Sequence, residues 1–127
     1  MTSTFFAYLF ALLTLIVFLF QIALAAGMPW GHLAMGGRYP GKFPPTIRVG
    51  AVIQATLLAF LAMIVLSHAG VAFPGLANLS NSLIWVAVAI SGLSLVMNLI
   101  TPSKWERILW APVALLMTVS SLVVALS

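Results

Sequence analysis

Few side chains in this sequence can do chemistry, and they are scattered. There is one acid, Glu106, and no Asp; there are two histidines, five Lys and Arg, and no cysteine. A lone carboxylate cannot supply the paired groups of glycoside-type hydrolysis or an acidic calcium or magnesium cage. Without cysteine, thiolate nucleophiles, disulfide exchange and Cys-ligated zinc or iron–sulfur centres are excluded. Three amides, Gln21, Gln54 and Asn98, interrupt apolar runs. Polar amides in lipid either bond one another across helices or serve a ligand. Gly36-Gly37-Arg38 places flexible backbone amides beside a guanidinium. That arrangement suits a phosphate or carboxylate, although a Gly turn followed by an orienting Arg accounts for the same residues.

The remaining polar residues have plainer explanations beside the functional ones. Ser103 and Glu106 have the spacing of a capping box. The Ser oxygen takes one free amide at a helix start, and the Glu reaches back to another, so Glu106 is explained without a catalytic role. His32, beside Trp30 and Arg38, is a site candidate; His68 ends an apolar run and suits a helix C-terminus. Two histidines in a small membrane bundle raise the question of haem. The topology derived below puts them a membrane thickness apart, so no cofactor and no metal is expected.

These residues sit in a chain that is 64% hydrophobic and 5% charged over 127 residues, with a mean hydropathy of +1.24. A soluble domain is ~25% charged. The composition therefore excludes a soluble enzyme, a nucleic-acid reader and a disordered tail, and the lipid bilayer is the first partner. The pI near 10.4 rests on five cations only; such loop cations report orientation and anionic headgroups. A span needs ~20 apolar residues, and four fit: about 5–26, 49–68, 81–100 and 104–126. The first run resembles a signal peptide at Ala23-Leu24-Ala25, but it lacks a cationic start and is too long, so it reads as a retained helix. Gly and Pro in 27–48 forbid a continuous helix there. That loop also carries Met28, Trp30, Leu33, Met35, Tyr39 and Phe43, which predicts that it folds back over the bundle as a cap. Pro112 should kink the fourth span.

Orientation follows from charge. Arg38, Lys42 and Arg48 precede the second span, and Lys104 and Arg107 flank the start of the fourth. The positive-inside rule puts loops 27–48 and 101–107 in the cytoplasm, with both termini and the 69–80 link outside. Small and polar residues recur at 4-3 spacing in every span: Ala7, Ala11, Thr14, Phe18, Gln21 and Ala25 in the first, Ala51, Ala55, Leu58 and Ala62 in the second, Ala87, Ser91, Ser94 and Asn98 in the third, and Ala111, Ala114, Thr118, Ser121 and Ala125 in the fourth. This period predicts an all-α, left-handed four-helix bundle with these residues inside. Phe10, Leu13, Ile16, Val17, Leu95 and Val123 then face lipid or pack between helices. The three amides fall within ~8 Å of the cytoplasmic face, counting ~1.5 Å per residue.

Two stretches carry a resemblance. Pro29-Trp30-Gly31-His32-x-Ala34-x-Gly36-Gly37-Arg38, with the paired Pro and Arg48 that follow, looks like the first connection of uncharacterised bacterial four-helix membrane proteins. Thr101-Pro102-Ser103-x-x-Glu106-Arg107-x-x-Trp110-Ala111-Pro112 looks like the entry to their last helix. The resemblance implies a four-helix fold in a bacterial inner membrane and no particular activity. Small multidrug-type transporters share the size and span count but need an acid within the first helix, where position 21 holds Gln.

Three functional readings follow. The first is a membrane protein that binds a small polar ligand or lipid headgroup in a cytoplasmic-side pocket built from Gln21, His32, Arg38, Gln54, Asn98 and Arg107. The second is a subunit of a transporter or channel, which would need a homo-oligomer or larger membrane complex because four narrow helices enclose little. The third is a membrane enzyme with His32 as base and Arg38 or Arg107 holding an anion; scarce catalytic partners make it the weakest.

Overall fold

The computed structural model describes residues 2–127 and is all-helical among them: α1 (Thr2–Ala25), α2 (Pro45–His68), α3 (Ala77–Ile100) and α4 (Lys104–Leu126). All four are long and apolar enough to cross a membrane. At ~1.5 Å per residue, 24 residues reach ~36 Å, more than a ~30 Å hydrocarbon core requires. Short 3-10 turns at Gly31–Leu33, Met35–Gly37 and Pro74–Leu76 punctuate the connections.

Three helices begin earlier than their apolar runs suggest: α1 is already helical at Thr2 rather than from residue 5. α2 starts at Pro45, inside the stretch expected to be loop, with Pro44 as its N-cap. Proline breaks a helix interior, but at the first turn its fixed φ is favourable and its missing N–H costs nothing. α3 starts at Ala77 rather than residue 81, directly after the Pro74–Leu76 turn. α4 begins at Lys104, as the Ser103 cap predicts, and continues through Pro112 as one helix.

Consecutive helices are antiparallel neighbours, and α4 also packs on α1, closing a ring. The α1–α2 and α3–α4 pairs are the most extensive, and α2–α3 is the loosest of the four neighbouring pairs. Both termini and the α2–α3 link therefore lie at one end. The 26–44 loop, the short α3–α4 turn and all five Lys and Arg lie at the other.

The two ends are filled differently. Toward the termini, Ala7, Phe10, Leu13, Leu61, Val65, Ile84, Ala87, Met117 and Val124 form a dry core. Phe10 is fully buried and Leu13 nearly so, a departure from the expected small-residue seam. Ala7, Thr14, Ala51, Ala55, Ala87, Ser91, Ala111, Ala114 and Ser121 are inside as the period predicts, but Ala11, Phe18, Ala25, Ala62, Thr118 and Ala125 are only half-buried. Small residues permit close approach on some faces of each helix, and large ones fill the space they leave on others. At the cationic end, Leu24, Ala34, Phe43 and Ala51 make a second, smaller cluster that packs the loop onto α1 and α2.

The α2–α3 link is held by hydroxyls. Ser67 Oγ donates to the Phe73 carbonyl at 2.8 Å, and Ser80 Oγ to the Ala77 carbonyl at 2.7 Å. A His68 ring nitrogen lies 3.4 Å from Ser80 Oγ. His68 thus ends α2, and its ring reaches across to α3 rather than back to its own carbonyls.

Candidate functional site

Between the two clusters the bundle is hollow. A cavity of about 450 Å³ extends from the cationic end toward the middle and takes lining from all four helices and the 26–44 loop. This is within the range of small-ligand sites, ~300–1,000 Å³. Its deep part is apolar, with Leu58, Leu61, Ile90, Val113 and Met117. Its polar groups are Gln21, Thr46, Gln54, Ser91, Ser94, Asn98 and Glu106, with Phe20 and Trp110 beside them. Met35, Thr46 and Gly50 line the cavity and are also exposed, which marks its mouth near the start of α2.

The three amides expected to cluster do line one cavity, and no hydrogen bond joins them among the described residues. Asn98 Nδ2 donates to the Ser94 carbonyl of its own helix at 2.7 Å, which leaves its oxygen free to accept. Gln21 and Gln54 make no side-chain hydrogen bond among the described residues, and both are half-buried. Ser91 is 3% exposed, and its Oγ has no partner. A buried hydroxyl without a partner costs ~1–3 kcal/mol; Thr14 and Ser120 are in the same state in the packed part of the bundle, and of the three only Ser91 lines the cavity. By contrast, Thr118 and Ser121 bond back to carbonyls of their own helix and are scaffold.

Glu106 has a different job from the one its spacing suggests. The Ser103 half of the capping box forms, with the Glu106 amide donating to Ser103 Oγ at 3.3 Å. The return half does not, because the Ser103 amide is taken by Thr101 Oγ1 at 3.3 Å. The carboxylate instead turns inward, is 7% exposed, and accepts the Gly36 N–H at 2.9 Å. Gly36 sits at φ +69°, a left-handed conformation suited to glycine. The expected anion nest is therefore not open: Gly37 and Arg38 donate to Ala34 and Met35 carbonyls, and the remaining amide holds the protein's own carboxylate.

Two further bonds tie the loop to α4. Ser103 Oγ donates to the His32 carbonyl at 2.7 Å, and Trp110 Nε1 to the Leu33 carbonyl at 3.0 Å. The Trp110 ring lies 4.6 Å from that of Phe20, centroid to centroid. On the other side, Arg48 Nε donates to the Phe43 carbonyl at 3.0 Å, and its guanidinium packs over Gly27.

His32, Arg38 and Arg107 are exposed and do not line the main cavity. His32 lies in a shallow depression with Trp105, Leu109 and Pro112 on the outer side of α4. The spacing assigns Glu106 to the helix cap; that it shares the cavity wall with Trp110 is legible only as a face, since positions 106, 110, 113 and 117 are spaced 4-3-4, beside the small-residue stripe through Ala111.

No protein-family model matches the chain, and neither a curated protein nor a solved structure matches it.

Proposed function

We propose that this protein is a multi-pass protein of a bacterial inner membrane that holds a small polar ligand or lipid headgroup in the cavity, with the 26–44 loop as its cap. The observation that carries the reading is the set of lining polar groups left without protein partners: Gln21, Gln54 and the Ser91 hydroxyl. In an apolar bundle such groups are costly unless something else satisfies them. The three bonds from α4 to the loop support the capping role. Charge supports the orientation: all Lys and Arg lie at the loop end, which the positive-inside rule assigns to the cytoplasm, with both termini outside. The 4-3 seam favours a left-handed bundle.

Native mass spectrometry of gently extracted protein is the test. A retained small molecule is expected, and Gln54→Leu should lose it while keeping the thermal midpoint of ligand-free wild type. Protein that never retains a molecule, from cells or after addition, would overturn the reading.

A further inference from the structure

We propose that the ligand of this cavity is an amphiphile with a cationic, hydrogen-bond-donating head: an ammonium seated at Glu106, with an apolar tail directed to the middle of the bundle. This rests on the cavity being a binding site.

The head group follows from what lines the loop end. Glu106 is the only charged side chain on the cavity wall. A carboxylate offers about four acceptor positions, and one is used, by the Gly36 N–H. Asn98 gives one of its two amide hydrogens to the Ser94 carbonyl, and its side-chain oxygen stays open as a further acceptor. The Phe20 and Trp110 rings also line this end, packed against each other. Gln21, Gln54 and Ser91 can donate or accept, so the sign of the preference is set at Glu106, where a charged donor is worth more than an acceptor and an anion would meet a like-charged carboxylate.

The five Lys and Arg at this end do not reverse that preference. None lines the cavity. Arg38, Lys42, Lys104 and Arg107 are exposed, and half-buried Arg48 is engaged with the Phe43 carbonyl. Exposed charges are screened over ~8 Å at physiological salt, whereas the Glu106 side chain is 7% exposed and screened less.

The tail follows from the other end. From Glu106 to Met117 the wall runs about 16 Å along α4, and the lining changes from polar to Leu58, Leu61, Ile90 and Met117. The cavity is open at Thr46 and Gly50, near the start of α2, which gives a ligand its way in. An ammonium amphiphile can reach this site as a free single-chain amine or as an aminolipid.

The experiment is competitive native mass spectrometry of the full chain in neutral detergent. Dodecylammonium, phosphatidylethanolamine, dodecanol and dodecyl sulfate are each titrated against wild type, Glu106→Gln and Gln54→Leu. Glu106→Gln keeps an oxygen for the Gly36 N–H and removes the charge. At least one ammonium probe is expected to bind wild type roughly ten-fold or more above dodecanol and dodecyl sulfate, and Glu106→Gln should erase that margin. Which ammonium probe wins identifies the source. If dodecanol or dodecyl sulfate binds as well as both ammonium probes, or Glu106→Gln keeps the margin, the head-group assignment is overturned while the cavity stands. If no probe binds wild type better than Gln54→Leu, the binding site itself is overturned. Should Glu106→Gln fail to fold, the wild-type ranking of ammonium against alcohol and sulfate decides alone.

Discussion

At the residue scale, Glu106 carries the most. It begins α4, loses one half of its capping box, and gives its carboxylate to Gly36 instead. Removing the acceptor of a buried N–H costs more than weakening it. Glu106→Ala should therefore lose ~1.5–3 kcal/mol of stability, since the bond is to a charged group. Glu106→Gln should lose less than half as much; thermal unfolding of both in one detergent checks the order, and equal losses would deny the tether. Gly31 is fixed by a close approach rather than by its dihedrals: a Cβ there would drive into the Tyr39 carbonyl oxygen and crowd that of Gly41. Both contacts are backbone and cannot swing away. Gly31→Ala is expected to cost at least ~2 kcal/mol, while Gly41→Ala, with open space around it but φ +81°, should cost only the ~1–2 kcal/mol of a left-handed residue.

At the element scale, the 26–44 loop is a folded piece, and its attachments come from three places in α4 and its cap. The Trp110 indole spans from α4 to the Leu33 carbonyl while its ring rests near Phe20. Trp110→Phe keeps a ring and deletes the donor. The expected loss is ~1 kcal/mol, together with faster tryptic cleavage after the exposed Arg38 and Lys42; unchanged cleavage would show that this bond does not hold the loop. Much of the element plan was legible in the sequence. The four apolar runs, the Ser103 start of α4 and the turn at Pro74 all follow from local rules. The starts of α2 and α3 were not, because Pro44-Pro45 and the polar Asn78 and Ser80 look like loop until a tertiary packing partner makes a helical turn worthwhile.

At the scale of the whole molecule, the protein is divided across its length. The end with the termini is packed by Phe10, Ile84 and Val124, and the end with the charges is hollow. The absence of cysteine from the sequence makes sidedness directly measurable. A single cysteine at exposed Gly75 should react with a membrane-impermeant maleimide on intact cells, and one at exposed Lys42 only after the membrane is opened. The reverse pattern would invert the topology argued from charge.

The sequence by itself determined that the chain has four stretches long and apolar enough to cross a bilayer, and that its cations gather at one end. Those are properties of composition and spacing, which a one-dimensional string contains. The tertiary structure decided which polar groups meet. It brought Gln21, Gln54, Asn98 and Glu106 onto one cavity and left His32, Arg38 and Arg107 outside it. That choice depends on helix rotation. A 3.5-residue stripe fixes which residues share a face but not which neighbouring face turns inward when large side chains such as Phe10 and Trp110 compete with small ones for the same space.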